Sequence, residues 1–210
     1  MNLGMSVLLV DDHLVVRKGV ELVLLSTFPK AYVYSAENYD DALDIMKTIR
    51  LDLVILDINI NGIENIKIMN SIKEIQSKVK ILIFSSHEEK HYGIRYIQNG
   101  ADGYLNKFCS EDKIIKAVQQ ILDKGYYYSD QVKDKLNSKA KKNGGSNPIE
   151  SLSNREFEIA KLLISGEGNL EISNKLNIQM STVSTYKNRI FEKLNISNVV
   201  SLSELFRENE

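Results

Sequence analysis

The feature that most constrains the fold is an alternation of short apolar runs and amphipathic stretches through the first 128 residues. The five apolar runs are continuous enough to be strands buried on both faces, and the stretches between them carry apolar residues at helical spacing. This alternation predicts an α/β doubly wound, five-stranded parallel sheet of the flavodoxin-like type. The predicted strands cover residues 6–10, 32–35, 53–57, 80–85 and 103–105.

The rest of the chain has a different composition. Residues 129–149 are rich in Lys, Asn, Ser and Gly, which is typical of a linker, and their first part, 130–140, is compatible with a solvated helix. The pattern beyond them predicts helices near 153–165, 169–176, 180–194 and 199–207. We therefore expect an α/β domain over 1–128, a linker over 129–149 and a small all-α, four-helix domain over 150–210.

Bulk composition excludes several protein classes. The 27 Lys and Arg against 28 Asp and Glu give a net charge of −1, which taken alone argues against a nucleic-acid-binding protein. The single cysteine, Cys109, cannot form an internal disulfide and fits a reducing compartment. No segment approaches the about 18 apolar residues that a membrane span requires. We expect a cytoplasmic protein without membrane contact.

Charged and polar side chains stand where the predicted strands end. Asp11 and Asp12 follow the first strand, Asp57 ends the third, Ser85 ends the fourth, and Lys107 follows the fifth. Alone, each residue is explained as a turn, cap or surface residue, but the carboxyl ends of parallel strands share one edge. Clustered carboxylates require a cation, and oxygen ligands favour Mg²⁺. A carboxylate beside Mg²⁺ and a lysine is a competent nucleophile toward phosphorus.

Three segments carry a family resemblance. Residues 7–13, 53–57 and 100–107 resemble the receiver domain of two-component response regulators. The resemblance implies that Asp57 is the phosphoacceptor, taking a phosphoryl group from the phosphohistidine of a sensor histidine kinase. It also implies a Mg²⁺ site that contains Asp57, with Asp12 as a direct ligand, Asp11 as a ligand through water, and the Asn59 backbone carbonyl as a further ligand.

The same resemblance assigns three more residues, and the sequence departs from the receiver pattern in two loops. It implies that Ser85 hydrogen-bonds the phosphoryl oxygen, that Lys107 pairs with it, and that Tyr104 is the switch aromatic that turns inward on activation. Asn61 stands where receivers commonly carry Pro, and Phe108 stands where Pro or an acidic residue is usual. Neither departure alters a residue to which the resemblance assigns chemistry.

The C-terminal segment predicts a helix-turn-helix. Two helices, near 169–176 and from residue 180, are joined by a short turn, as in motifs whose second helix enters the major groove. On that second helix Val183, Ile190 and Leu194 fall on one side, and polar and basic residues fall opposite. Such a face suits base edges and phosphates, but it also suits a plain solvated helix.

A second resemblance concerns this segment. Residues 152–156, 169–172 and 182–187 are similar to the LuxR-type helix-turn-helix of the NarL/FixJ class. The resemblance implies that the last helix pairs two copies. Gln179 stands where a Ser or Thr N-cap is usual, so we expect the start of the recognition helix to be less stable by about 1 kcal/mol. The predicted DNA-binding residues are those facing bases or phosphates, Ser181, Thr182, Ser184, Thr185, Lys187, Asn188, Arg189 and Lys193.

Together these features predict a dimeric, phosphorylation-controlled transcriptional regulator of a two-component system. Its partners are a sensor histidine kinase, double-stranded DNA and a second copy, and contact with RNA polymerase is compatible with that role. We expect no enzyme beyond self-phosphorylation and slow autodephosphorylation, because phosphatases with an aspartyl nucleophile require an Asp where Asn59 stands. A phosphorylation-independent regulator acting through protein partners remains the alternative.

Overall fold

The structure is a computed structural model that describes residues 4–58, 65–130, 132–134 and 147–209. The chain divides into two compact units, Met1–Lys141 and Lys142–Glu210, and each is described by itself. The division falls inside the predicted linker, 129–149. Among the described residues, no helix combines the length and apolar character needed to cross a membrane.

The first unit is built on a parallel sheet of five strands in the order β2-β1-β3-β4-β5. The predicted strands are confirmed to within one residue at each end. The strand order changes direction between β1 and β3, the position at which ligands bind beyond the carboxyl ends of the strands in doubly wound sheets. Leu53, Val54 and Leu56 are fully buried, which explains why this strand is apolar without alternation. The strands are β1 (Ser6–Val10), β2 (Tyr32–Ala36), β3 (Leu53–Leu56), β4 (Lys80–Ser85) and β5 (Gly103–Asn106).

Helices cover both faces of this sheet. On one face Val20 and Leu24 from the first helix and Ala117 and Val118 from the last pack into a common core with the strands. The last helix stops at Gly125, whose φ of 88° lies in the left-handed region that favours glycine. The helices are α1 (Leu14–Thr27), α2 (Tyr39–Thr48), α3 (Asn65–Ile75), α4 (Glu89–Gln98) and α5 (Glu111–Lys124).

The segment that follows α5 packs against the first unit. Val132 is 2% exposed, and a Cβ added at Gly93 of α4 would lie 3.3 Å from its Cγ2 atom. The Val132 backbone N–H donates to the Ser129 hydroxyl at 3.3 Å. Val132 thus departs from the solvated helix expected over 130–140, because glycine in α4 leaves room for its side chain. Residues 131 and 135–140 of that prediction lie outside the described residues.

The second unit is helical, as predicted. At its start the Ser153 hydroxyl accepts a hydrogen bond from Glu156 N at 3.2 Å, and the Glu156 carboxylate accepts one from Ser153 N at 2.7 Å. This capping box fixes the beginning of the first helix. The rings of Phe157 and Phe206 stack 5.5 Å apart and join the first helix to the last. A short 3-10 helix (Pro148–Ser151) precedes α6 (Asn154–Ile164), α7 (Asn169–Leu176), α8 (Met180–Leu194) and α9 (Val199–Asn209).

Candidate functional site

Backbone pairing at the carboxyl end of the sheet brings the predicted acidic residues together. Asp57 N donates to Val10 O at 2.8 Å, which holds the end of β3 beside the end of β1. The Asp11 and Asp57 side chains are buried, at 4% and 1% exposure, whereas Asp12 is exposed. One potential ligand atom from each of Asp11, Asp12, His13 and Asp57 lies within 4.8 Å of the others.

Lys107 is the cation nearest to the two buried carboxylates. Its Nζ atom lies 2.7 Å from Asp11 Oδ2 and 2.9 Å from Asp57 Oδ2. Burial alone would lower the pKa of Lys107, but the two carboxylates outweigh burial and raise it above its usual value. The ammonium therefore stays charged and balances one of the two buried negative charges.

The donor set fits a divalent cation. Three carboxylates share the site, and the Lys107 ammonium leaves them with excess negative charge that a hard, oxygen-seeking ion would neutralise. Asp11, Asp12 and Asp57 are the side chains that could hold it. The predicted carbonyl ligand, Asn59, lies outside the described residues, as does the departure at Asn61.

His13 takes part in the acidic cluster. A lone histidine at the start of an amphipathic helix is expected to be a surface or helix-capping residue, and the His13 side chain is 65% exposed. Its Nδ1 atom nevertheless lies 2.7 Å from Asp12 Oδ1 and 3.2 Å from Asp11 Oδ1, and it makes no side-chain cap bond to α1. Its position next to two aspartates was the one sequence signal for this contact.

Ser85 and Tyr104 lie on neighbouring strands and are both fully buried. The Ser85 hydroxyl accepts a hydrogen bond from His87 N at 3.1 Å, and Tyr104 donates to His87 O at 3.0 Å. Asn106 donates to the same carbonyl at 2.9 Å. Burial raises the pKa of Tyr104, and the Ser85 hydroxyl only partly offsets this, so the phenol is a neutral donor. The predicted switch aromatic is turned inward in this structure and holds the loop after β4.

Phe108, where the chain departs from the receiver pattern, follows Lys107 in the loop after β5. No cis peptide bond occurs among the described residues, so the Lys107–Phe108 bond is trans. Phe108 N donates to the Asn106 side chain at 2.8 Å. Asn106 thus links the loop after β4 to the loop after β5. The sequence carried no signal for this role, because both partners are backbone groups.

The recognition helix predicted from sequence is α8. Val183, Ile190 and Leu194 are buried, as the periodicity predicted, and Gln179 at the N-cap makes no side-chain cap bond. On the opposite side Thr182, Ser184 and Lys187 are half-buried. The exposed members of the predicted DNA-binding set are Ser181, Thr185, Asn188, Arg189 and Lys193.

Two members of the predicted DNA-binding set, Ser184 and Lys193, contact a side chain of another helix. Ser184 accepts a hydrogen bond from the Asn169 side chain at 3.0 Å and donates to Met180 O at 3.1 Å. Lys193 Nζ lies 2.7 Å from Glu156 Oε2, although the sequence placed Lys193 on the DNA face. Burial alone would raise the pKa of Glu156, but Lys193 and the Ser153 cap bonds hold it below its usual value.

Comparison with known proteins covers both units. A family model described as the response regulator receiver domain matches residues 7–119, and one described as bacterial regulatory proteins, luxR family, matches residues 150–206. Fimbriae Z protein of Escherichia coli (strain K12) is 34% identical over 94% of this chain and 93% of its own. Response regulator UvrY of the same organism is 32% identical over 95% of this chain and 92% of its own.

A solved structure shares the fold. RcsB from Salmonella enterica serovar Typhimurium, bound to promoter rprA in the presence of phosphomimetic BeF3-, superposes with a TM-score of 0.62 at 21% identity. The match covers 96% of this chain and 98% of that one. With relatives above 30% identity over nearly the whole length, the chain belongs to the two-component response regulators of the NarL/FixJ class, which join a receiver domain to a LuxR-type helix-turn-helix domain.

Proposed function

We propose that this chain is a transcriptional regulator whose Asp57 accepts a phosphoryl group from a sensor histidine kinase, with Mg²⁺ as cofactor. The observation that carries the proposal is the contact of one ammonium, Lys107, with the two buried carboxylates of Asp11 and Asp57. That arrangement places Asp57 next to a cation, as a carboxylate nucleophile requires. It is also compatible with a role of the protein as acceptor rather than as an enzyme with turnover.

Each residue of the site has a separate role in phosphotransfer. Asp57 attacks the phosphorus of the donor phosphohistidine, its carboxylate oxygen forms the new P–O bond, and the P–N bond to the donor imidazole breaks. Bound Mg²⁺, held by Asp11 and Asp12, would supply charge neutralisation for the transferring phosphoryl oxygens. Lys107 already lies 2.9 Å from Asp57 and pairs with those oxygens, and the buried Ser85 hydroxyl donates to one of them.

Transfer changes the hydrogen bonds of the loop after β4. A Ser85 hydroxyl that turns toward the phosphoryl group alters its present contact with His87. Tyr104 and Asn106 of β5 both donate to the His87 carbonyl, so a shift of this loop also changes the hydrogen bonds that join it to β5. A local change of charge at Asp57 is thereby coupled to the position of the β4–α4 loop.

DNA binding is assigned to the exposed face of α8. Asn188 and Thr185 suit base edges, and Arg189 suits a phosphate. The relative RcsB is described as forming dimers bound to DNA, and its structure matches this chain with a TM-score of 0.56. Residues 181–195 carry three basic side chains and one acidic one, so a monomer should bind DNA with low affinity. A homodimer, which contacts two half-sites at once, should bind with much higher affinity. The proposal includes RNA polymerase as a further partner of such a dimer.

One experiment tests the proposal directly. The chain is incubated with acetyl phosphate and Mg²⁺, its intact mass is recorded, and the same sample is tested for binding to a random-sequence duplex pool. We expect one phosphate per chain, together with tighter DNA binding and dimerisation. Asp57→Asn should remove all three effects, and Asp123→Asn, an exposed change on α5, should leave them intact.

Other outcomes identify the rivals. Steady hydrolysis of acetyl phosphate without accumulation of the adduct would indicate a phosphatase. DNA binding and dimerisation that stay the same with and without phosphate would indicate the phosphorylation-independent regulator acting through protein partners. Either result would refute the proposal that phosphorylation of Asp57 controls dimerisation and DNA binding.

A further inference from the structure

A second cation is buried at the edge of the acidic site. Arg17, on the first turn of α1, is 8% exposed, and its Nη1 atom donates a hydrogen bond to the Asp11 backbone carbonyl. Its Nη2 atom lies 4.0 Å from Glu37 Oε2, an exposed carboxylate after β2. Its Nε atom is buried and has no hydrogen-bond partner among the described residues. The guanidinium is therefore only partly compensated.

Arg17 and the phosphoacceptor line the same small cavity. The cavity lies between α1 and the sheet, and Asp11, Arg17 and Asp57 provide its charged lining, beside apolar residues such as Val20 and Phe84. Charges that face a mostly apolar cavity are screened less than charges in water. A guanidinium stays protonated in proteins, so Arg17 contributes a fixed positive charge beneath the site.

The formal charges of the site indicate what a second cation contributes. Without metal, and with the exposed Glu37 and a neutral His13 left out of the count, the three carboxylates of the cluster oppose the charges of Lys107 and Arg17 and leave one excess negative charge. A divalent cation makes the excess positive by one. Phosphorylation converts Asp57 from one negative charge to about two. The metal-loaded, phosphorylated site is then neutral, and without Arg17 it would be negative.

We propose that Arg17 is a positioning residue that holds the Asp11 loop and supplies the second fixed positive charge that the phosphorylated site requires. The inference rests on the proposed phosphotransfer at Asp57. Arg17 opposes binding of the divalent cation and favours binding of the phosphoryl group. Its effects on these two ligands therefore have opposite signs, which a purely structural role would not produce.

The test compares Arg17→Met and Arg17→Lys in the full chain. Mg²⁺ affinity is measured by calorimetry, and beryllofluoride affinity at saturating Mg²⁺ is measured by fluorine NMR titration. In Arg17→Met we expect Mg²⁺ to bind roughly tenfold tighter and beryllofluoride roughly threefold weaker, because the ligands carry two positive charges and one negative charge. Arg17→Lys keeps the charge and should stay near the wild-type values for both ligands.

Glu37→Gln provides an independent variant that leaves the core untouched. Removing this exposed carboxylate strengthens the field of Arg17, so Mg²⁺ should bind about twofold more weakly. The inference would be overturned if both Arg17 variants bound both ligands more weakly, or if Arg17→Met left both affinities unchanged. A wild-type chain that binds Mg²⁺ but no beryllofluoride would overturn the proposed function, and the inference with it.

Discussion

Replacing Asp12 by Asn should stabilise the first unit in the absence of metal. Asp12 is the exposed member of the carboxylate cluster, and Lys107 contacts the other two carboxylates, Asp11 and Asp57. Two like charges 4.8 Å apart repel by about 1 kcal/mol even in a water-like dielectric. Asp12 faces two such charges, and the Lys107 ammonium offsets part of their repulsion, so the uncharged, nearly isosteric Asn should raise the free energy of unfolding by about 1 kcal/mol.

Hydrogen exchange measured by mass spectrometry reads this change in the first unit alone. With a chelator present, peptides from β1, β3 and β4 should exchange about fivefold more slowly in Asp12→Asn than in the wild type. Mg²⁺ should then protect the wild type strongly and the variant little, because the variant lacks a ligand. Asp123→Asn on α5 is the matched control and should change neither result.

Two results would refute this reasoning. Faster exchange of the variant without metal would mean that Asp12 makes a stabilising contact that outweighs its repulsion. Equal protection of variant and wild type by Mg²⁺ would mean that Asp12 is not a ligand.

Three further changes probe other parts of the structure. Lys193→Met should destabilise the second unit by about 1 kcal/mol near neutral pH, because the buried Glu156 carboxylate loses its partner. The pKa of Glu156 is lower in the folded state than in the unfolded state, so its ionised carboxylate stabilises the fold above the unfolded pKa. This stabilisation is lost as the pH falls through the folded pKa, and the thermal unfolding curves of variant and wild type should therefore converge in acid. Val132→Ala should cost about 1.5 kcal/mol of local stability, seen as roughly tenfold faster exchange of residues 129–134, and unchanged exchange would mean that this segment is not packed on Gly93. Asn195 ends α8 at a φ of 52°, so Asn195→Ala should cost about 1 kcal/mol in thermal unfolding whereas Asn195→Gly should cost nothing, and equal losses would contradict the strain argument.

Local pattern was sufficient to predict the elements of both units. A strand buried on both faces must be apolar throughout, as Leu53 and Val54 are, and a helix must present apolar residues every third or fourth position, as Val183 and Ile190 do. Because the carboxyl ends of parallel strands meet at one edge, the sequence order of Asp11, Asp57 and Lys107 also predicted that they would lie together.

The pairing of side chains was decided by the tertiary structure. Glu156 and Lys193 are 37 residues apart, and only the packing of α6 against α8 brings them into contact, so the sequence assigned Lys193 to DNA alone. No sequence pattern assigned a role to Arg17, whose side chain is buried and donates a hydrogen bond to the Asp11 backbone carbonyl. Periodicity reports which face of an element is buried, and it carries no information about the partner that a charged side chain meets there. The sequence thus determined the two folds and the place of the site, while tertiary contacts decided the balance of charge within it.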